Sequence, residues 1–178
     1  PVQIRQQRQP EELPTKPWAT TGASGRRPNI INSLYIDPVQ LNQHNQKLAA
    51  KYRQMAEREV RYEGYYLDDA EIILVAYGIT ARICRTVVEN ARAEGIKAGL
   101  FRPISLYPFP AQALRTAVEE SGAQQVVCAE LSCGQLVEDV RLSLDGMVPT
   151  ELLAYPGGVI PLPAEILARL RAGKEMRS

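Results

Sequence analysis

The stretch CAELSCGQ, which begins at Cys128, holds the residue types most often found in metal and redox sites. Cys128 and Cys133 flank Glu130, and a C-x4-C pair can supply two thiolate ligands to zinc or iron. A complete site needs about four ligands, and the other candidates are Cys84 and His44. The same stretch is typical of a turn from a strand into a helix, with Cys128 as a small buried side chain. We favour this second interpretation and predict no metal site.

Arg102 stands where a predicted strand ends, in FRPISLYPFP. A guanidinium there can hold a carboxylate or phosphate through two parallel hydrogen bonds. It can equally pair with Glu130, which ends another predicted strand, and such a pair positions loops without doing chemistry. The structural pair is the favoured interpretation.

The turns that follow the predicted strands offer further polar and glycine positions. Backbone N–H groups near Gly78 could hold an anion at a helix start, and Gly157 and Gly158 permit close approach of a ligand or another chain. The nucleotide fingerprints GxGxxG and GxxxxGKS/T are absent, and no Ser/His/Asp or paired-carboxylate arrangement is present. The positions retained as possible ligand or interface residues are Thr21, Gly22, Gly78, Thr80, Arg102, Glu130, Gln135, Gly157 and Gly158.

Apolar runs and amphipathic stretches alternate from residue 70 onward. The predicted strands are EIILVAYG, IKAGLFRP, AQQVVCAEL and PTELLAY, and the predicted helices are TARICRTVVENARAEG, PAQALRTAVEESG, GQLVEDVRLSLDG and PAEILARLRAG. Thr80 is the expected N-cap of the first helix, and Gly95 and Gly122 are expected helix stops. The alternation predicts an α/β fold: a doubly wound, mostly parallel, Rossmann-like three-layer sheet whose strand ends carry any ligand. A module that binds an anion or small ligand there is the alternative function.

Residues 1–36 are polar and punctuated by proline, which predicts an irregular linker or arm. Trp18, Ile30, Ile31, Leu34 and Tyr35 are expected to anchor this arm to a surface.

Residues 37–62 are predicted to form one helix, with Asp37 as N-cap and Pro38 at the first helical position. An apolar residue recurs every seven positions, which predicts a narrow stripe that needs a partner surface; its members are Leu41, Leu48, Met55 and Tyr62. We assign 37–67 to this arm helix and its connection, and 68–178 to the α/β domain.

The composition is that of a soluble globular protein: 178 residues, 45% hydrophobic and 23% charged, with a net charge of +1. The near-neutral charge gives no general attraction to nucleic acid, and no apolar run reaches the roughly 18 residues of a membrane span. No secretory signal is visible, and three cysteines suit a reduced cytoplasmic protein. The chain opens on Pro1 rather than Met, so we expect a fragment of a longer polypeptide.

Seven sequence blocks in the same order resemble those of a known enzyme family. They are KPWATTGASGR, NIINSLYIDP, EVRYEGY, VAYGITARI, GLFRPISLYPFP, ELSCGQLVEDVRL and GGVIPLPAEIL. The chain resembles the C-terminal half of the alpha subunit of 2-oxoacid:ferredoxin oxidoreductases. The 3-methyl-2-oxobutanoate (2-ketoisovalerate) type is the most similar, followed by the 2-oxoglutarate type.

The resemblance implies a hetero-oligomeric enzyme that uses thiamine diphosphate, Mg²⁺ and iron–sulfur clusters to convert a 2-oxoacid to acyl-coenzyme A while reducing ferredoxin. It implies that residues 68–178 form a transketolase C-terminal-like domain. The partners implied are an N-terminal pyrimidine-binding domain, a beta subunit that holds the diphosphate and its Mg²⁺, and a ferredoxin-like subunit that carries the clusters. This fragment is then an assembly domain without catalytic residues and without a bound cofactor.

Two positions depart from the family pattern. Ile79 stands where relatives usually carry a small hydroxyl residue, which weakens any ligand role for that turn. Cys133 stands where relatives often carry Ala or Met, which argues against a metal ligand.

Overall fold

The structure is a computed structural model that describes residues 14–175. The chain divides into two units, with the boundary between Leu48 and Ala49. The first thirteen residues of the predicted arm lie outside the described part. The domain limits proposed from the sequence, at 36/37 and 67/68, stay predictions.

The described arm of the first unit contains turns but no helix or strand before α1. The Asn29 side-chain amide donates to the carbonyl oxygens of Pro17 and Ala19, at 2.7 and 2.9 Å. The apolar residues expected to anchor the arm are exposed, except Tyr35, which is half-buried. The described first unit therefore does not itself supply the anchoring surface.

Helix α1 (Pro38–Arg58) begins as predicted. The Asp37 Oδ1 atom accepts hydrogen bonds from the backbone N–H groups of Val39 and Gln40, at 2.7 and 3.2 Å, and so caps the helix. The predicted end at residue 62 is wrong, because Tyr62 begins strand β1 (Tyr62–Tyr65). Pairing in the sheet and stacking of the Tyr62 ring on Phe101, at 5.1 Å between centroids, are available only in the extended conformation.

A five-stranded mixed sheet forms the centre of the second unit, in the order β1-β3-β2-β4-β5. Besides β1, its strands are β2 (Ile72–Val75), β3 (Ala98–Pro103), β4 (Gln125–Glu130) and β5 (Thr150–Ala154). The four predicted strands are parallel to one another, whereas β1, which the sequence did not predict, joins β3 as an antiparallel edge. The helices between and after them are α2 (Gly78–Ala93), α3 (Ala111–Ser121), α4 (Gln135–Leu144) and α5 (Pro163–Glu175).

The helices cover both faces of the sheet, as the predicted doubly wound α/β fold requires. Successive strand residues point to opposite faces, so Ile72 and Leu74 pack in the core with α2 and α5, while Ile73 and Val75 pack in the core with α3 and α4. The continuous apolar run of β2 follows from this double coverage.

The helix ends show one further difference from the sequence predictions. Thr80 is not the N-cap of α2, because the helix starts at Gly78 and its N-cap is Tyr77, without a side-chain cap. Gly78 has a φ of +59°, which lets the chain turn into the helix two residues early and buries Thr80. Gly122 ends α3 in the left-handed conformation, as expected.

Within residues 14–175, no helix combines the length and the apolar character that crossing a bilayer would take.

Candidate functional site at the carboxyl edge of the sheet

The carboxyl ends of the parallel strands bring seven of the nine retained positions to one edge of the second unit. They are Gly78, Thr80, Arg102, Glu130, Gln135, Gly157 and Gly158. Thr21 and Gly22 belong to the first unit, where the Thr21 hydroxyl oxygen accepts a hydrogen bond from Arg26 at 3.4 Å. The ligand or interface roles proposed for these positions stay predictions.

Glu130 is the buried carboxylate of this edge, with 1% of its surface exposed. Its two oxygens accept hydrogen bonds from the backbone N–H groups of Leu136 and Val137, both at 3.0 Å, and from the Ser132 hydroxyl. These N–H groups are unpaired donors of the first turn of α4, whose N-cap, Gly134, has no side chain to cap them. Glu130 therefore caps α4 from the end of β4 and is satisfied within the fold.

The predicted pair between Arg102 and Glu130 is wrong. Strands β3 and β4 are not neighbours, because β2 lies between them. Arg102 lies directly opposite Glu63 in the antiparallel β1–β3 register, and its Nη1 atom donates to Glu63 Oε2 at 2.8 Å. The pair is part-exposed, so its contribution to stability is at most about 1 kcal/mol.

The three cysteines differ in their exposure to solvent. Cys84 and Cys128 are buried, and Cys133 is exposed. Burial raises the pKa of the Cys84 thiol to about 12, and burial together with the nearby Glu130 carboxylate raises that of Cys128 still further. Both thiols are therefore neutral core groups at physiological pH. Among the described residues, no three His, Cys, Asp or Glu side chains are placed to hold a metal ion.

His44, the other residue considered as a ligand, is half-buried. Its ring stacks on Tyr35 at 4.6 Å, and Nδ1 lies 3.3 Å from the Tyr35 hydroxyl. These contacts tie the end of the arm to α1 within the first unit.

The surface formed by the loops after the strands is apolar. Nine large hydrophobic side chains there are between 37% and 65% exposed. They follow β2 (Tyr77, Ile79), β3 (Ile104, Leu106, Tyr107), β4 (Leu131) and β5 (Val159, Ile160, Leu162). We call this surface the apolar edge. An apolar surface contributed by four loops is typical of a protein interface rather than of a polar active site.

The paired glycines lie within the same edge. Gly157 and Gly158 have φ values of +73° and +86°, and a Cβ added at either would meet no atom within 4 Å. They are needed for the backbone turn after β5, and nothing in the described chain approaches them closely.

A groove with a volume of about 400 Å³ lies beside the apolar edge, between α2 and the β1 side of the sheet. Its lining residues are Glu63, Gly64, Tyr65, Ala81, Arg82, Arg85, Leu100 and Arg102. We call it the arginine groove. Arg102 was among the positions predicted from the sequence, but Arg82 and Arg85 were not, although their spacing of three on a predicted amphipathic helix places them on one face. Glu63 was missed because β1 was not predicted.

Comparison with known proteins identifies a family that the chain resembles in sequence. The family model of pyruvate:ferredoxin oxidoreductase core domain II matches residues 70–166. The ketoisovalerate oxidoreductase subunit VorB of Methanothermobacter thermautotrophicus is 40% identical over 161 residues, which is 90% of this chain and 45% of that protein. The 2-oxoglutarate synthase subunit KorA of Methanothermobacter marburgensis is 36% identical over 109 residues, covering 61% of this chain and 28% of its own length. The chain thus spans a little under half of the ketoisovalerate relative.

Two solved structures share the fold. One is the 2-oxoglutarate:ferredoxin oxidoreductase from Magnetococcus marinus with 2-oxoglutarate, coenzyme A and succinyl-CoA bound, with a TM-score of 0.67 and 19% identity over 78% of this chain and 24% of that one. The other is a split-gene transketolase, described as an inactive β4 tetramer, with a TM-score of 0.52 and 20% identity over 62% of this chain and 40% of that one. The transketolase-like α/β fold expected from the sequence is confirmed.

Proposed function

The chain belongs to the pyruvate:ferredoxin oxidoreductase core domain II family, and from this premise we propose that it is the C-terminal assembly domain of the alpha subunit of a 2-oxoacid:ferredoxin oxidoreductase. The whole enzyme then oxidatively decarboxylates a 2-oxoacid to an acyl-coenzyme A in the cytoplasm, and ferredoxin takes up the electrons. The subunit names of the relatives support this reaction class.

The apolar edge is the observation that carries the assembly role. In open α/β sheets the strand ends are where ligands usually bind. Here those ends present aliphatic and aromatic side chains to solvent, and the buried carboxylate there, Glu130, already caps a helix. Exposed apolar surface of this extent is stabilised when another protein surface covers it.

The occupant we propose for the apolar edge is another part of the same enzyme, either the pyrimidine-binding domain of the alpha subunit or the beta subunit. The relatives are about twice as long as this chain, which supports the existence of further alpha-subunit sequence. Thiamine diphosphate and Mg²⁺ are then held by those parts, and the iron–sulfur clusters by a ferredoxin-like subunit.

The substrate we propose is a branched-chain 2-oxoacid. Two relatives that match 90% of the chain at 40% identity are ketoisovalerate oxidoreductase subunits, whereas the 2-oxoglutarate synthase subunits match shorter stretches.

Introducing charge into the apolar edge tests the assembly role. The double variant Leu106→Asp, Ile160→Asp is expected to fold normally, because both side chains are already exposed. Its affinity for the cognate beta subunit, or for the complex of that subunit with the pyrimidine-binding domain, is expected to fall at least about tenfold. Isothermal titration calorimetry measures the affinity, and circular dichroism checks the fold.

Leu142→Asp is the matched control, because Leu142 is 81% exposed on α4 and lies outside the apolar edge. It is expected to leave the affinity unchanged. Equal affinities of the double variant and the unmodified chain would overturn the proposed role of this surface.

A further inference from the structure

The arginine groove forms because β1 adds a strand to the sheet beyond the part that helix α2 covers. Helix α2 packs on the face of the sheet that carries Leu100. Tyr65 of β1 lies opposite Leu100 and shares this face, and so does Glu63, because side chains alternate along a strand. Beside α2 this part of the face is open, and the groove lies between the helix and the edge strand.

Three guanidinium groups and one carboxylate line the groove, a formal charge of +2, which the Glu89 carboxylate beside Arg85 lowers to +1. Within the described range, the Arg82 side chain makes neither a hydrogen bond nor an ion pair. Arg102 uses one nitrogen, Nη1, on Glu63, and its other N–H groups make no further hydrogen bond there. The groove therefore contains unused guanidinium donors at its lining.

Arg85 is held in place before any ligand binds. Its guanidinium lies 4.5 Å from the centre of the Tyr65 ring and 3.9 Å from the Glu89 carboxylate. The Tyr65 hydroxyl donates to the same carboxylate at 2.9 Å, so ring and carboxylate support each other. Holding Arg85 in this way reduces the conformational entropy that binding would cost.

We propose that the arginine groove binds the phosphate groups of a small phosphorylated molecule. A guanidinium fork binds phosphate or carboxylate oxygens in pairs. A phosphate offers three oxygens and close to two negative charges at neutral pH. It can therefore accept hydrogen bonds from several guanidinium groups of this net positive site, whereas one carboxylate occupies only one guanidinium group. A volume of about 400 Å³ is that of a small-ligand site.

This inference does not rest on the proposed function. Of the residues that line the groove, none belongs to the apolar edge. Variants in the groove and variants in the apolar edge therefore test the two proposals separately.

The test is calorimetric titration of the 178-residue chain with inorganic pyrophosphate, without added metal, and with citrate as a carboxylate of comparable charge. We expect pyrophosphate to bind at least about tenfold more tightly than citrate, and its affinity to fall as NaCl is raised. Arg82→Gln is expected to weaken pyrophosphate binding at least about tenfold while leaving the melting temperature of the free chain unchanged, because Arg82 has no partner to lose.

Arg53→Gln is the matched control, since Arg53 is an exposed arginine of α1 outside the groove. It is expected to bind pyrophosphate like the unmodified chain. Absence of pyrophosphate binding at about 10 mM, equal weakening by both variants, or tighter binding of an acidic peptide than of pyrophosphate would each overturn the proposal.

Discussion

At the scale of single residues, the side chain with the most consequential contacts is Glu130. It is charged, almost completely buried, and joined by its two oxygens to the N-terminal turn of α4. The partial positive charge at a helix N-terminus favours a carboxylate at this position. Glu130 thereby fixes the start of α4 to the end of β4, and with it the loop that carries Leu131 of the apolar edge.

Replacing Glu130 by Gln is expected to lower the free energy of unfolding by about 2 kcal/mol. The amide keeps the shape but loses the charge, and its NH₂ group faces a backbone N–H that then has no acceptor. Urea unfolding followed by circular dichroism measures the change.

Glu138→Gln serves as the control for that change. Glu138 lies in the first turn of the same helix but is exposed, so its loss is expected to cost at most about 0.5 kcal/mol. If both variants lost the same stability, the buried cap would have no special role.

At the scale of elements, the edge strand β1 decides how the sheet ends. It pairs with β3, and the chain then passes from Tyr66 to Ala70 across the neighbouring strand before β2 begins. This crossing is close: a Cβ atom on Gly99 of β3 would lie 2.5 Å from the Tyr66 carbonyl oxygen and 2.9 Å from the Ala70 Cβ. The absence of a side chain at Gly99 is what permits the connection.

Gly99→Ala is therefore expected to lower the free energy of unfolding by about 1–3 kcal/mol, because a backbone carbonyl cannot move aside easily. Gly64→Ala on β1 provides the comparison. Its added Cβ would meet the Leu67 side-chain end at 2.6 Å, and that side chain can rotate away, so a smaller loss is expected. Urea denaturation measures the free energy of unfolding of both variants. A Gly99→Ala chain as stable as the unmodified chain would contradict the close crossing.

At the scale of the whole molecule, the second unit combines a complete core with an apolar edge and an arginine groove. The core consists of the two clusters of buried side chains on the two faces of the sheet. The proposed assembly role explains the apolar edge, and it places the thiamine diphosphate site in other parts of the enzyme.

The chain is accordingly expected to show no magnesium-dependent binding of thiamine diphosphate. Among the residues the structure describes, no acidic cluster could hold the metal that accompanies the diphosphate. The measurement is calorimetric titration of the Arg82→Gln chain with thiamine diphosphate, with and without Mg²⁺, because this variant is expected to weaken metal-independent binding in the groove. Mg²⁺-dependent binding in the range of about 1 μM would overturn the assembly-domain assignment.

The sequence by itself determined the elements whose formation depends on neighbouring residues. The apolar run of β2, the capping of α1 by Asp37 and the end of α3 at Gly122 were predictable, because local hydrophobic pattern, capping and glycine conformation decide them. The family blocks indicated the same α/β fold.

Only the tertiary structure decided which of these strands pair and which helices pack beside them. Arg102 pairs with Glu63, thirty-nine residues away, because the strand order puts β1 rather than β4 beside β3. The same order leaves the face beside α2 open and so forms the arginine groove. Strand order depends on how all the helices cover the sheet together, and no short stretch of sequence contains that information.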